Sequence, residues 1–409
     1  MNFTRSEKLF IFFAMCSAAL ICGEYAITRP TSNALFLTVF SVKAYPWVWL
    51  ATVPLNLLVI TLYNRFLPKI GPLRTLCIFA LITMSINALS GLLYSRYPQF
   101  IFFQYAWKDI YVLLMLKQLW SMIHSTIPAA RAKYLYGAIY GMGTLGAISG
   151  SLIPSFLAVQ MGSEKLLFLT LPAYLLLIFA YTASFRLSGV NGDSFQQDLT
   201  SDPRSREGFS LIRRSPFLIA ILLLVVFMQV SVGLMEYQFN AHLEHHILDK
   251  DLRTAYCGQI SAWVNISSLL LQFVGGFLMI RILGVRRSHF MIPILLLTSG
   301  LTFWIFPSFA ILSFSYVFIK AIDFSLFGVI REMLYIPLQL DEKYRAKAII
   351  DVFAYRTSKA FVSLGLLILQ AVAASYILPA ASLLSLAVFL GWLAVVTVLF
   401  RKQKLEPAR

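Results

Sequence analysis

Long apolar stretches dominate the chain, and short polar segments separate them. Each stretch is close to the ~20 apolar residues that a helix needs to cross a bilayer. The hydropathy pattern therefore predicts an all-α membrane protein with twelve transmembrane helices. Their predicted starts lie near Leu9, Trp47, Leu76, Phe100, Tyr134, Leu166, Phe217, Tyr256, Phe290, Ala310, Ala348 and Pro379.

Basic residues concentrate in alternate connections between these spans. The other connections hold few of them, namely Lys43, Arg96, Lys165, Lys250 and Arg253. Because basic connections stay in the cytoplasm, this asymmetry predicts a multi-pass protein of the bacterial cytoplasmic (inner) membrane with both termini in the cytoplasm. The net charge of +16 then reflects topology, so we expect the lipid bilayer as a partner and no nucleic acid.

The sequence pattern occurs twice along the chain. Glu24 and Tyr25 recur 212 residues later as Glu236 and Tyr237, and the short basic turn at 70–74 recurs in kind at 283–287. Repeats of this kind are typical of transporters built from two six-helix halves. We therefore predict two pseudo-symmetric halves, residues 1–186 and 215–409, joined by a polar cytoplasmic linker at 187–214.

The composition excludes several classes of protein. The chain is 59% hydrophobic and 13% charged, with a mean hydropathy of +0.77, which is not the composition of a soluble domain. None of the four cysteines has metal-ligand spacing, and no phosphate-binding loop, zinc-binding helix motif or serine elbow occurs. We predict no enzyme activity, no metal and no cofactor. A cluster of His242, His245 and His246 is interpreted as a solvated outer loop.

Glycines are frequent in the fifth predicted span. They are Gly137, Gly141, Gly143, Gly146 and Gly150. Small residues at this density let helices pack closely, so we predict a packing role for them.

Eleven charged residues lie inside predicted spans. The basic ones are Arg29, Lys108, Lys117, Lys320, Arg356 and Lys359, and the acidic ones are Glu24, Asp109, Glu236, Asp323 and Asp351. A charge at mid-bilayer costs at least ~2.5 kcal/mol, so we expect most of them to line a shared polar cavity. Lys117 is expected to snorkel to the cytoplasmic surface.

Individual charges suggest different partners. Lys108 and Asp109 are neighbours on different helix faces, so we expect them to pair with other helices. Lys320 and Asp323 have the spacing of an intrahelical pair, and a role in the substrate pathway is the alternative. Arg356 and Lys359 have no acid between them on one predicted helix, which favours binding of an anion such as a phosphorylated substrate.

One stretch carries a family resemblance. Arg331, Glu332, Met333, Tyr335, Ile336, Pro337 and Leu338 are followed by Lys347, Asp351, Arg356 and Lys359. This series resembles the signature of the nucleotide transporter family typified by the ATP/ADP translocases of obligate intracellular bacteria and plastids. The resemblance implies a major facilitator-like fold and a small-molecule substrate, a nucleotide or related phosphorylated metabolite, moved by alternating access and exchange.

The resemblance also places Glu236, Arg331, Arg356 and Lys359 at functional or signature positions of the family, which implies a role in substrate binding. Lys320 and Arg29 are second candidates because they are basic residues inside predicted spans. The charges expected in the cavity from their cost in the membrane are Glu24, Lys108, Asp109, Asp323 and Asp351. The first half departs from the family: Ser32 and Asn33 occupy the place of a Lys-Asp pair, and Lys108 stands at or beside a family glutamate. The chain is therefore similar to a divergent member.

Two other interpretations remain open. One is a proton-coupled carrier of a less charged solute, with Glu24, Asp109, Asp323 or Asp351 as proton sites. The other is a non-transporting membrane scaffold. The predicted cavity has almost as many acids as bases, which suits a substrate of lower charge than a triphosphate unless protons bind with it.

Overall fold

The structure is a computed structural model that describes residues 4–127, 129–189, 212–335, 338, 350 and 354–402. The side chains at 129–134, 274, 276–278, 280, 355, 356 and 402 are outside the description. Of the residues singled out from the sequence, Ile336, Pro337, Lys347, Asp351 and the side chain of Arg356 therefore lie outside the described residues, as does much of the predicted linker.

Helices make up nearly all of the described chain. The first seven are α1 (Arg5–Phe40), α2 (Tyr45–Ile70), α3 (Pro72–Leu93), α4 (Phe100–Thr126), α5 (Ala129–Met161), the short α6 (Ser163–Leu166) and α7 (Thr170–Ser188). Single 3₁₀ turns at Val42–Ala44 and Leu167–Leu169 connect neighbouring helices.

The remaining helices follow residue 212. They are α8 (Pro216–His246), α9 (Lys250–Leu270), α10 (Gly276–Ile305), α11 (Phe309–Ile322), α12 (Gly328–Leu334), α13 (Tyr355–Val372) and α14 (Ile377–Lys402). Turns of π-helix at Leu271–Gly275 and Asp323–Phe327 join α9 to α10 and α11 to α12. A 3₁₀ turn at Ala374–Tyr376 precedes α14.

Local chemistry explains where several helices begin. A capping box starts α1: the Glu7 backbone N–H donates to Thr4 Oγ1, and the Thr4 N–H donates to Glu7 Oε2. Gly71 precedes Pro72 with φ 80° and ψ 161°, and Gly284 interrupts α10 with φ 73° and ψ 167°. Glycine tolerates these positive φ values. The two basic turns matched in the sequence thus share one backbone conformation.

Spatial proximity divides the chain into two compact units. The first unit comprises Met1–Ser41, Ala51–Ser201 and Ile247–Asn265, and the second comprises Val42–Leu50, Asp202–His246 and Ile266–Arg409. In the first unit α1 packs against α4, α5 and α7. In the second unit α8 packs against α11, α13 and α14. The predicted boundaries at 187–214 stay a prediction.

Many helices are suited to a bilayer. In the described part of the chain, nine helices are long and apolar enough to cross a membrane. Helix α4 falls short because it carries Lys108, Asp109 and Lys117, α9 is more polar, and the apolar part of α13, Thr357–Val372, is short. The all-helical membrane fold is confirmed, while the count of twelve spans stays a prediction.

The packing of side chains fits a membrane interior. The core of the first unit is apolar and includes Ile21, Leu76, Leu119 and Leu177, all nearly inaccessible. Large apolar residues are also exposed, among them Phe156 at 68%. Lipid can cover such surfaces, whereas water would penalise them.

Candidate functional site

A buried ion pair in the second unit connects α8 with α11. Lys320 Nζ lies 2.8 Å from Glu236 Oε2, and both side chains are largely inaccessible. The lysine is also 5.7 Å from the centroid of the Tyr316 ring, which stacks on Phe239. Lys320 thus reaches a carboxylate on another helix.

Asp323 has its own contact in the same unit. Gln229 Nε2 on α8 donates to Asp323 Oδ1 at 2.9 Å, at the start of the second π turn. Lys320 and Asp323 thus each contact α8, while the intrahelical pair and the role in the substrate pathway stay predictions. A π turn advances the chain by more residues per turn than an α-helix, which alters the faces that residues after 323 present.

Two further predicted cations lie beside aromatic rings. Arg331 Cζ is 5.9 Å from the Phe327 ring centroid, and its Nη2 is 3.9 Å from Glu332 Oε1. Lys359 Nζ lies 5.4 Å from the Trp49 ring centroid. Contacts of a cation with a ring face contribute roughly 0.5–2 kcal/mol depending on desolvation. They hold a cation in place while its hydrogen-bond donors remain suited to phosphate.

A polar cluster lies inside the first unit around Glu24. The carboxyl accepts hydrogen bonds from Tyr111 Oη at 2.6 Å, Thr28 Oγ1 at 2.5 Å and Asn87 Nδ2 at 3.3 Å. Gln104 Nε2 donates in turn to Asn87 Oδ1 at 3.2 Å. Glu24 is only 2% exposed, and its polar surroundings are side chains within the helix bundle. Its place in a shared polar cavity stays a prediction.

Lys108 and Asp109, which the sequence predicts to pair with other helices, contact each other. Lys108 Nζ lies 3.1 Å from Asp109 Oδ1 and 3.7 Å from the centroid of the Tyr105 ring. Tyr25 Oη on α1 contacts the same Asp109 oxygen at 3.1 Å. The long lysine side chain bends back to its neighbour, so the two residues pair directly despite their different directions on α4. The cross-helix contact comes from Tyr25.

The remaining predicted residues are more scattered. Arg29 is half-buried on α1, and Lys117 is exposed on α4 with Nζ 6.0 Å from the Tyr63 ring centroid. The predicted solvated histidine loop is instead the last turn of α8, where His246 stacks on Phe309 at 4.9 Å. No group of three or more metal-binding side chains occurs among the described residues.

The sequence repeat extends to these charges. Lys108 and Lys320 are separated by 212 residues, the same offset as Glu24 and Glu236. The second-half members form an ion pair, whereas in the first half Lys108 contacts Asp109, and Glu24 accepts hydrogen bonds from neutral groups. The lysine offset is visible in the sequence. The contributions of Tyr111 and Asn87 are not, because only the fold brings them to Glu24.

Known structures share this fold at low sequence identity. The chain is similar to the nucleoside transporter NupG, with a TM-score of 0.66 and 12% identity over 96% of this chain and 99% of that one. It is also similar to a bacterial homologue of the iron transporter ferroportin in its inward-facing state, with a TM-score of 0.63 and 13% identity over 96% of this chain and 100% of that one. The fold is that of a major facilitator-like membrane transporter.

Sequence comparison identifies the family. The model of the TLC ATP/ADP transporter family matches residues 190–315 and 310–403, which together make up half of the chain. The chain belongs to this family, as its signature residues predicted. The family is one of transporters and not of enzymes.

Curated relatives carry related names. ADP,ATP carrier protein 1 of Chlamydia muridarum is 27% identical over 217 residues, which are 47% of this chain and 41% of that protein. ADP,ATP carrier protein 3 of Rickettsia conorii is 23% identical over 328 residues, 69% of this chain and 64% of that protein. The chain thus spans less than two thirds of the length of these relatives.

Proposed function

We propose that this protein transports a nucleotide or a related phosphorylated metabolite across a membrane, by alternating access and as an exchanger. Membership of the TLC ATP/ADP transporter family supports this proposal, as do the names of its ADP,ATP carrier relatives. A bacterial cytoplasmic membrane, with both termini in the cytoplasm, is part of the proposal and rests on the distribution of basic residues.

The observation that carries the proposal is the set of cations in the second unit. Lys320, Arg331 and Lys359 come from three different helices, and each lies beside an aromatic ring. Lysine and arginine are the side chains that bind phosphate by charge-assisted hydrogen bonds. Arg331 and Lys359 also stand at signature positions of the family resemblance. We assign phosphate binding to these three, with Arg356 and Arg29 as further candidates.

Glu236 has a distinct role in this proposal. Its ion pair with Lys320 keeps the lysine charge compensated inside the protein when no substrate is bound. An incoming phosphate competes with the carboxylate for the same ammonium group. The pair therefore sets a threshold: only a ligand with enough negative charge displaces Glu236 from Lys320.

A ligand screen tests the proposal directly. The purified full chain is heated with nucleotides, nucleosides and sugar phosphates, and thermal stabilisation reports binding. Stabilisation by nucleotides, but not by the matching nucleosides, is the expected result. Stabilisation by uncharged solutes would indicate the proton-coupled carrier of a less charged solute. A complete lack of stabilisation, together with no uptake into proteoliposomes, would favour the scaffold interpretation.

A further inference from the structure

Glu24 occupies a closed position in the first unit. Its side chain is 2% exposed, and the Tyr111 and Tyr174 rings nearby are 0% and 1% exposed. Tyr111 donates from α4, Asn87 donates from α3, and Thr28 donates from α1 itself. The carboxyl thus has a complete shell of donors but no contact with bulk solvent.

The other helices that pack on α1 bring few charged side chains close to Glu24. From α7, Thr170 Oγ1 accepts from Asn87 Nδ2 at 3.1 Å. Tyr174 lies one turn after Thr170 on α7, and its ring packs edge-on against the ring of Tyr111. On α5, the backbone of Gly150 packs against the backbone of Gly23, the residue before Glu24. The two lie so close that there is no room for a Cβ on Gly150. On α4, Lys108 and Asp109 contact each other, and on α6, which also packs on α1, Glu164 contacts Lys250. Among the described residues, the titratable groups beside Glu24 are Tyr111 and Tyr174.

The counterpart of Glu24 in the second half of the sequence repeat has different surroundings. Glu236, the counterpart of Glu24, has a lysine at 2.8 Å. Among the described residues, Glu24 has hydrogen-bond donors and no cation within ion-pair distance. A buried carboxylate without a cation is costly when ionised, and hydrogen bonds offset only part of that cost. Protonation removes the charge.

We propose that Glu24 is a proton-binding site and that it takes up and releases one proton during the transport cycle. This inference rests on the proposed transport function and adds proton coupling to it. The proton binds one carboxyl oxygen, which then donates a hydrogen bond where it accepted one. Hydroxyl groups can reverse their hydrogen bonds to accommodate this change, and Tyr111 and Thr28 provide two hydroxyl groups at the carboxyl.

Infrared spectroscopy tests proton binding without any transport assay. The purified full chain is titrated with pH, and the carbonyl stretch of protonated carboxyl groups is followed. We expect a band that titrates in the wild type, disappears in Glu24→Gln and persists in the control Asp249→Asn, which changes an exposed carboxyl just before α9. Persistence of the whole titrating signal in Glu24→Gln would overturn the inference.

A second variant, Tyr111→Phe, removes the hydroxyl that donates to the ionised carboxylate at 2.6 Å. The midpoint of the infrared titration should therefore move to higher pH. An unchanged midpoint would also count against the inference.

Exchange in proteoliposomes then tests coupling. Glu24→Gln resembles the protonated state, so its exchange rate should be independent of pH, whereas the wild-type and Asp249→Asn rates change with pH. A Glu24→Gln variant with the full wild-type pH dependence would contradict proton coupling at this residue. Nucleotide binding in the thermal assay separates the two hypotheses: if no nucleotide binds while the infrared band still depends on Glu24, the transport proposal fails and the proton site stands.

Discussion

Lys320 Nζ lies 2.8 Å from Glu236 Oε2, and this pair links α8 to α11 inside the second unit. The two residues are 84 positions apart in the sequence. Because both side chains are largely shielded from solvent, removal of either partner leaves the other charge uncompensated. Breaking a buried pair in this way typically costs about 3–5 kcal/mol.

A double-mutant cycle should reveal this coupling. We expect Glu236→Gln and Lys320→Gln each to destabilise the protein strongly, and the double variant to be less destabilised than the sum, by about 1–3 kcal/mol. Denaturant unfolding in detergent measures all four proteins. Glu332→Gln is the control, since that carboxylate is 3.9 Å from Arg331 and 45% exposed, and its loss should have little effect. Additive single effects would show that the ion pair is not the cause.

Substrate binding should depend on the cations of the second unit. We expect Lys359→Gln, Arg331→Gln and Arg356→Gln each to weaken nucleotide binding at least tenfold while the protein remains folded in the membrane, because each loses a charged donor to phosphate. Thermal shift titrations and proteoliposome uptake measure the loss. Lys117→Gln is a matched control, since Lys117 is exposed on α4. Normal binding by all three variants would place phosphate recognition elsewhere.

The glycines of α5 provide a test of helix packing. A Cβ on Gly150 would lie 2.2 Å from the carbonyl oxygen of Gly23, so α1 and α5 would have to separate. Gly150→Ala should therefore destabilise the protein by about 1–3 kcal/mol, the usual range for overpacking. Gly137 on the same helix has nothing within 4 Å, so Gly137→Ala should be neutral or slightly stabilising. Equal stability of the two variants would argue against close packing here.

How much the sequence predicts depends on the kind of interaction. The apolar lengths predicted the helices, and the density of small residues predicted the close contact of Gly146 and Gly150 with α1. These features follow from local pattern alone. The partners of individual charges were harder to predict, because a lysine side chain is long enough to reach several candidates. Lys108 could reach its own neighbour, and Lys320 could reach another helix.

The cluster around Glu24 shows a different limit. The sequence marks Glu24 as an expensive charge in a membrane helix, but it does not indicate whether a cation or neutral donors compensate it. Asn87, Tyr111 and Thr170 are ordinary residues of apolar helices when considered one at a time. Only helix packing brings Asn87 and Tyr111 to the Glu24 carboxyl group, and Thr170 to Asn87.

A second polar cluster fixes the start of α9 to α6. Asp251 Oδ1 accepts from the Ser163 backbone N–H at 2.7 Å and from Ser163 Oγ at 2.5 Å, and Ser163 is fully buried. Lys250 Nζ contacts Glu164 Oε2 in a partly exposed pair. Asp251→Ala leaves a buried N–H without its acceptor and should cost about 1–3 kcal/mol, while Lys250→Ala should cost less than about 1 kcal/mol. Denaturant unfolding measures the loss of stability in both variants. A larger loss in Lys250→Ala than in Asp251→Ala would contradict the prediction.

The Lys250 pair should not produce a pH dependence in the working range. Burial lowers the pKa of Lys250, but the hydrogen bond to Glu164 and the charge of that carboxylate outweigh burial, so the pKa is raised from its ordinary 10.5. A raised lysine pKa contributes stability that is complete below the ordinary value and is lost only as pH rises through the folded value. Stability of wild type and Lys250→Ala should therefore differ by the same amount at pH 6 and pH 8.

The last prediction concerns the charge of the substrate. Lys320 is compensated by Glu236, and Lys108 by Asp109, so the net positive charge available to a ligand is smaller than the number of basic residues suggests. A fully ionised triphosphate would bring negative charge that these groups cannot balance, and uncompensated buried charge is costly. We expect a less charged nucleotide, or one taken up with protons, to outcompete ATP.

Exchange should also be faster than net flux, because Arg356 and Lys359, predicted on one helix without an acid between them, should disfavour reorientation of the empty protein. Uptake into empty and preloaded proteoliposomes at pH 6 and pH 8 measures both. ATP as the best substrate at both pH values would contradict the charge argument, and equal rates in empty and preloaded vesicles would contradict exchange.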